Sequence, residues 1–306
     1  MPDAISGEGL RVVAATDPGR RREKNEDALA YRLTPFGGVF VVADGMGGHA
    51  RGEVASRLAA EIILEYLSEG TPTPARISEA FEAANRRIYE MAQSAGYEGM
   101  GTTATALVLD LPYALIGHVG DSRGYLLRSG LLVQLTQDHS WVEERVRQGL
   151  LRPEEAKNHR WKSVITNALG TFPEVEVDLL GLRVRPGDVF VLSTDGLHGV
   201  VGEEAMARVL TERPLEEAVP RLVELANAWG GPDNITLMAV RVEQVPANGD
   251  KPYAELLAGD QPVYIRSRSG DAELAWPTPR RRWRWTEVGL LLIWVLLLLY
   301  VLFSHR

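Results

Sequence analysis

One stretch constrains the fold of this chain more than any other, the apolar residues 39–43 followed directly by Asp44-Gly45-Met46-Gly47-Gly48-His49. The β-branched run predicts a buried strand. The acid and the glycines after it predict a tight turn whose backbone comes close to a bound group. A hard cation is the simplest such group, because it takes oxygen ligands from carboxylates and from carbonyls.

The same design recurs later in the chain, where an apolar strand over residues 188–194 ends in Asp195-Gly196. Further strands are predicted over residues 10–16, 28–31, 102–109, 114–119, 124–128 and 235–242. Helical periodicity appears in Val54, Leu58, Ile62 and Tyr66, in Ile77, Phe81, Ala84, Ile88 and Met91, and over residues 215–229. Consecutive strands separated by turns favour antiparallel pairing. A polar, helical insertion over residues 141–161, with Pro153 inside it, is expected near the site.

Composition excludes several functional classes. The chain has no cysteine, which excludes disulfides, thiolate zinc sites and catalytic thiols. Its formal charge is −8, and because five arginines and one glutamate after residue 279 give +4, the rest of the chain carries −12. An acidic body of this kind is a poor partner for nucleic acid. Acids gathered in one cleft would instead suit a divalent metal.

The C-terminal part has a different character. Residues 246–284 are rich in Pro, Gly, Asp and Ser and end in arginines, which predicts a linker with a basic juxtamembrane segment after a domain of residues 1–245. Val263-Tyr264-Ile265 could form a short strand within it. Residues 285–303 are nearly all apolar and would span about 28 Å as a helix, so a transmembrane helix is expected, with a buried helix of a soluble domain as the alternative.

The arginines beside residue 285 place the large domain on the cytoplasmic side of a cell membrane. The first residues of the chain carry no pattern of a cleaved signal peptide.

Four acids, Asp27, Asp44, Asp195 and Asp233, each stand at the edge of a predicted strand. Any one of them alone reads as a turn former whose carboxylate accepts hydrogen bonds from backbone amides. Four in matching positions would converge in a folded sheet and would repel one another. Divalent cations would resolve that repulsion, and ligand oxygens without cysteine point to Mg²⁺ or Mn²⁺.

Seven short motifs follow one another along residues 8–243. They are Thr16-Asp17-Pro18-Gly19 with Arg22 and Asn25-Glu26-Asp27; Asp44-Gly45-Met46-Gly47-Gly48-His49; Gly101-Thr102-Thr103; Gly120-Asp121-Ser122-Arg123; Asp138-His139-Ser140; Ser193-Thr194-Asp195-Gly196-Leu197; and Gly231-Pro232-Asp233-Asn234. In this order they resemble the motif set of the metal-dependent protein phosphatases, the type 2C protein Ser/Thr phosphatase family, in its bacterial form. Each motif is weak evidence alone, and the order of all seven is strong.

The resemblance implies an α+β fold, a four-layer α-β-β-α sandwich of two antiparallel sheets with a binuclear Mn²⁺ or Mg²⁺ centre in a cleft. It implies that the carboxylates around the two metals are Asp27, Asp44, Asp195 and Asp233, with the carbonyl of Gly45 as a further ligand. Asp121, together with Asp195, resembles the pair that holds a third, looser metal, and a turn acid in a hairpin is the alternative for Asp121.

The resemblance also implies that Arg22 binds the substrate phosphate and that water shared between the metals attacks phosphorus without a covalent enzyme intermediate. Animal members have a histidine, proposed as the general acid, where this chain has Met46, which leaves the proton donor unassigned. A structural role is expected for His139. The insertion at residues 141–161 corresponds to the family's flap.

Three functions fit these observations. The first is a membrane-tethered phosphatase of phosphoserine and phosphothreonine proteins that opposes a Ser/Thr kinase. The second is a non-catalytic member that binds phosphoproteins, although such a member would be expected to have lost at least one of the acids. The third is a phosphatase of small phosphorylated molecules, which shares the chemistry and differs only in the rim of the site.

Overall fold

A computed structural model describes residues 3–7, 9–47, 51–246, 251, 253–257, 259 and 261–266. Thirteen strands in this part of the chain form two antiparallel sheets. The first sheet contains β1 (Asp3–Gly7), β2 (Leu10–Asp17), β8 (Arg123–Arg128), β9 (Leu131–Gln134), β11 (Val189–Ser193) and β12 (Ile235–Val242), in the order β1-β2-β12-β11-β8-β9. The second contains β3 (Asp27–Thr34), β4 (Gly37–Met46), β5 (Gly101–Thr102), β6 (Ala104–Asp110), β7 (Tyr113–Val119), β10 (Asp178–Arg183) and β13 (Val263–Arg266), in the order β13-β10-β7-β6-β4-β3 with β5 beside β4.

Helices cover the outer face of each sheet. The second sheet packs against α1 (Arg51–Ser68) and α2 (Pro74–Ala92), and the first packs against α5 (Asp195–His198), α6 (Glu203–Glu212) and α7 (Leu215–Ala228). Side chains alternate between the two faces of β4. Val39 and Val41 belong to the core shared with α1 and α2, whereas the buried Phe40 and Val42 point to the opposite face. That opposite face meets the first sheet, since β4 and β6 both contact β11. The predicted α+β sandwich of two antiparallel sheets is confirmed.

The predicted helical insertion at residues 141–161 is broken in the structure. Only α3 (Trp141–Arg147) and α4 (Pro153–Ala156) are helical within it. Gly149 has a positive φ of 68° just after α3, a backbone conformation that a helix cannot continue. Pro153 fits the first position of α4, where a missing N–H costs nothing. We call residues 141–164, which include both short helices, the flap.

Part of the predicted linker packs on the domain. Val263–Arg266 pairs with β10, as the apolar triplet at residues 263–265 had suggested, and Tyr253 and Leu257 are buried in the core of the second sheet. The hydroxyl of Tyr253 donates a hydrogen bond to the buried carboxylate of Asp110. The strand β1 at the other end of the chain had no counterpart in the sequence-based prediction.

No helix in the described part of the chain is long and apolar enough to cross a membrane. The predicted transmembrane helix at residues 285–303 and its basic flank lie outside the described residues.

Two neighbouring leucines test whether this C-terminal segment belongs to the domain. Leu257 is fully buried, whereas Leu256 is half-exposed. We expect Leu257→Ala to lower the free energy of unfolding by about 2–5 kcal/mol, because it leaves a cavity. We expect Leu256→Ala to change it by less than about 0.5 kcal/mol. Urea unfolding of the two variants checks this, and equal effects would mean that the segment does not pack as described.

Candidate metal centre

The four strand-edge acids lie at one end of the sandwich, where the two sheets meet. Asp27, the first residue of β3, lies directly opposite Asp44 in the register of β3 and β4. Asp195 begins α5 immediately after β11, and Asp233 precedes β12, which pairs with β11. Thr194 joins the two sheets, because its hydroxyl donates a hydrogen bond of 2.8 Å to Oδ2 of Asp27. The fold therefore brings acids from both sheets to one place.

Burial and mutual repulsion disfavour the charged forms of Asp27, Asp44, Asp121 and Asp195. Burial, and then the charges of Asp195 and Asp233, raise the pKa of Asp27 to about 7. Burial and the charges of the other acids raise the pKa of Asp44 well above its usual value. Burial, followed by Asp195 and Asp138, raises the pKa of Asp121 to about 8. Asp121 thus shares this environment with the other acids, and a bound cation would reverse all of these shifts.

Two carboxylate oxygens in the group lack any hydrogen-bond partner within the described residues. Oδ1 of Asp27 and Oδ1 of Asp195 are both buried and unpaired. A buried acceptor without a partner is costly, and a native protein usually satisfies it with water, an ion or a ligand. Unpaired hard oxygens inside a group of acids therefore fit Mg²⁺ or Mn²⁺.

The acids form a loose group instead of a closed cage. In the part of the chain that the structure describes, no three His, Asp or Glu side chains are gathered in a geometry that holds a metal by itself.

Gly45 occupies a place that no other residue can fill. A Cβ at this position would lie 2.1 Å from the carbonyl oxygen of Gly52 and 2.5 Å from that of Glu26. The requirement for a bare backbone, read from the sequence, is thus met here by close packing of three segments. That its carbonyl binds metal stays a prediction.

Hydroxyl groups hold the backbone of Asp44 in place. The N–H of Asp44 donates to Oγ1 of Thr103 at 2.9 Å, and Oγ1 of Thr102 donates to the carbonyl of Asp44 at 2.9 Å. Thr103 Oγ1 also shares a hydrogen bond of 2.7 Å with Oγ of Ser122, the residue after Asp121. Thr102, Thr103 and Ser122 belong to predicted motifs, but their contacts could not be predicted, because buried hydroxyls leave no signal in a hydropathy pattern.

The loop that carries Arg22 is fixed by an amide side chain. Asn234 accepts from the N–H of Glu26 at 2.8 Å and donates to the carbonyls of Pro18 and Lys24 at 2.9 and 2.8 Å. Arg22 Nη2 then donates to Oδ2 of Asp233 at 2.7 Å, with about half of the Arg22 side chain exposed. The structure therefore places Arg22 beside the acid group, with donors left for a ligand.

The histidine and methionine predictions have different outcomes. His139 is buried and structural in its contacts: its Nδ1 accepts from the N–H of Gly120 at 3.1 Å, and its Nε2 lies 3.2 Å from Asp178 Oδ2. It thereby supports the loop that carries Asp121. Met46 pairs with Gly101 across β4 and β5 and carries no titratable group. His49 lies outside the described residues.

Two antiparallel sheets with a group of buried acids at their junction fit a metal-dependent hydrolase, and comparison with known proteins identifies its class. The family model for protein phosphatase 2C matches residues 19–228, more than half of the chain. The serine/threonine protein phosphatase PstP of Mycobacterium tuberculosis is 39% identical over 265 residues, which are 86% of this chain and 49% of that protein. The serine/threonine phosphatase stp of Listeria monocytogenes is 38% identical over 242 residues, 74% of this chain and 93% of that protein.

A solved structure agrees with these matches. The catalytic domain of PstP in complex with two manganese ions is 38% identical, with a TM-score of 0.69 over 77% of this chain and 99% of that one. The chain belongs to the protein phosphatase 2C family, the metal-dependent protein Ser/Thr phosphatases, as its motifs had indicated. It spans about half the length of PstP.

Removing one acid should stabilise the metal-free protein. We expect Asp44→Asn to raise the free energy of unfolding in EDTA at pH 7.5 by about 1–2 kcal/mol, because a buried carboxyl among like charges becomes neutral. The same variant should gain much less thermal stability from Mn²⁺ than the wild type does. Differential scanning calorimetry with and without Mn²⁺ measures both.

Asp188 provides the matched control, since it is buried and paired with Arg128 at 2.6 Å, away from the acid group. Asp188→Asn should destabilise by about 3–5 kcal/mol, because it removes the carboxylate that forms an ion pair with the buried Arg128. A loss of stability in Asp44→Asn as well would contradict the proposed repulsion.

Proposed function

We propose that this protein hydrolyses phosphoserine and phosphothreonine in proteins at the cytoplasmic face of a membrane, using Mn²⁺ or Mg²⁺, and that it opposes a Ser/Thr kinase. The observation that carries the catalytic part is the group of buried acids with unpaired oxygens beside Arg22. Family membership and the manganese ions in the related PstP structure support it.

Two metal ions would be held by Asp27, Asp44, Asp195 and Asp233 with the carbonyl of Gly45, and Asp121 with Asp195 would hold a third, looser ion. When bound, the ions supply Lewis-acid stabilisation of phosphoryl oxygens and make a water molecule acidic enough to act as nucleophile. Thr194 orients the carboxylate of Asp27 through a direct hydrogen bond, and Thr103 fixes the backbone of Asp44 by accepting a hydrogen bond from its N–H.

Arg22 binds the phosphate in this account. Its hydrogen bond to Asp233 raises the pKa of its guanidinium, so the group stays charged. The same hydrogen bond fixes one side of the planar guanidinium. The half-exposed guanidinium has further N–H donors, and a planar fork of this kind suits two oxygens of one phosphate. Met46 cannot donate a proton, so protonation of the leaving serine or threonine oxygen falls to another group.

The membrane part of the proposal rests on the apolar residues 285–303 and the arginines before them. A tether would raise the effective concentration of the phosphatase toward phosphoproteins at the same membrane, including receptor-like kinases. Phosphoproteins and a kinase are therefore the proposed partners.

Arg22→Lys tests the phosphate-binding role. With a phosphothreonine peptide and Mn²⁺, we expect the KM to rise about tenfold, because lysine cannot offer a bidentate fork. The neighbouring, exposed Arg21 serves as control, and Arg21→Lys should leave the KM unchanged. EDTA should abolish phosphate release in all three proteins. Equal KM values for the two variants would contradict a phosphate-binding role for Arg22.

Deletion of residues 280–306 tests the tether. We expect the full chain to sediment with membranes of expressing cells and the shortened chain to stay in the supernatant, with Mn²⁺-dependent kcat/KM on a soluble phosphopeptide changed by less than about twofold. A shortened chain that still sediments with washed membranes would contradict tethering by this segment.

A further inference from the structure

A strip of exposed cations lies on the flap. Lys157, Arg160 and Lys162 are exposed, and no carboxylate of the described residues pairs with any of them. No Asp or Glu occurs between residues 156 and 173, although the chain as a whole has a formal charge of −8. We call residues 157–164 the flap strip. It is a local concentration of positive charge on an acidic protein.

Aromatic packing supports the flap strip. The ring of Trp141 stacks on His159 at 5.0 Å and meets the edge of Trp161 at 4.6 Å between ring centroids. The N–H of Trp141 donates to the carbonyl of Val164 at 2.8 Å, which closes the strip onto the first residue of α3. The guanidinium of Arg160 lies 4.6 Å from the centroid of the Trp161 ring. These contacts position the backbone that carries the three cations.

Both ends of the flap are attached directly beside the metal centre. The N–H of Thr166, just after the flap, donates to the carbonyl of His139 at 2.8 Å. The N–H of His139, just before the flap, donates to the carbonyl of Gly120, and the N–H of Gly120 donates to Nδ1 of His139. Gly120 is the residue that precedes Asp121. The flap strip therefore belongs to a segment that starts and ends at the rim of the site.

Apolar surface accompanies the charge. Trp161 and Val164 in the strip, and Phe172 shortly after it, are among the few large apolar side chains exposed in the described part of the chain. Exposed apolar side chains beside unpaired cations suit a polypeptide that carries acidic residues.

We propose that the flap strip binds acidic residues flanking the phosphorylated serine or threonine of a protein substrate. This deepens the proposed function and rests on it. Cations of the flap strip would attract the carboxylates of a flanking chain that lies along the flap. An anionic bilayer is a poorer occupant, because docking a membrane on this strip would cover the rim through which the substrate enters.

Two charge-matched triple variants of the full-length protein in detergent, loaded with Mn²⁺, test the proposal. The first is Lys157→Gln with Arg160→Gln and Lys162→Gln. The control is Arg32→Gln with Arg57→Gln and Arg208→Gln, three exposed cations on β3, α1 and α6. Both lose three positive charges. The substrates are phosphothreonine peptides flanked by three Glu or by three Gln on each side, together with p-nitrophenyl phosphate.

We expect the wild type and the control to prefer the Glu-flanked peptide about tenfold in kcat/KM at low salt, the size that three exposed ion pairs can supply. The flap variant should lose this preference through a higher KM, with unchanged kinetics on the Gln-flanked peptide and on p-nitrophenyl phosphate. Binding of labelled peptides, followed by fluorescence anisotropy, should show the same tenfold loss.

Three results would overturn the proposal. Equal losses in both triple variants would indicate a general charge effect. Losses of the flap variant on all three substrates would indicate a structural role. An unchanged preference of the flap variant for the Glu-flanked peptide would exclude the strip from substrate binding, and weaker association of that variant with phosphatidylglycerol vesicles after removal of the detergent would assign it to membrane lipid. A wild type that binds the Glu-flanked peptide preferentially but releases no phosphate would contradict the proposed function and leave the strip supported.

Discussion

The repulsion between buried carboxylates at the junction of the two sheets is the constraint on which the rest of the structure depends. Asp27 and Asp44 lie opposite each other in one sheet, and Asp195 comes from the other. Neutral side chains would be cheaper at every one of these positions. A chain that retains acids with unpaired oxygens there has a binding function for them, which a divalent cation explains most simply.

Several hydrogen bonds of the surrounding scaffold hold these acids close together despite their repulsion. Thr194 bonds Asp27 across the two sheets, and Thr103 fixes the backbone of Asp44. Asn234 fastens the loop of Arg22 with three hydrogen bonds. His139 serves two purposes, since it supports the loop of Asp121 and anchors the flap beside it. His139 therefore connects the acid group directly to the flap, the surface that we propose binds the substrate chain.

Sequence reasoning predicted the sandwich through the family resemblance and placed the acids at strand ends through local patterns, whereas their binding of metal stays a prediction. An apolar run that ends in Asp-Gly marks where a strand delivers its carboxylate, as at Asp44 and Asp195. It missed the roles of Thr103 and Ser122, which come from contacts between distant segments. It also assigned residues 246–284 to a linker with at most a short strand at residues 263–265, because the polar composition hides the burial of Tyr253 and Leu257 on the second sheet. The flap's broken helices follow from Gly149 and Pro153.

The most direct test of the account is phosphate release from a phosphothreonine peptide by the wild type and by Asp195→Asn, each with Mn²⁺ and with EDTA. The account predicts release only by the wild type with Mn²⁺ and a loss of at least about 100-fold in kcat for the variant. Release that persists in EDTA, or a folded variant as active as the wild type, would contradict a metal centre built on these acids.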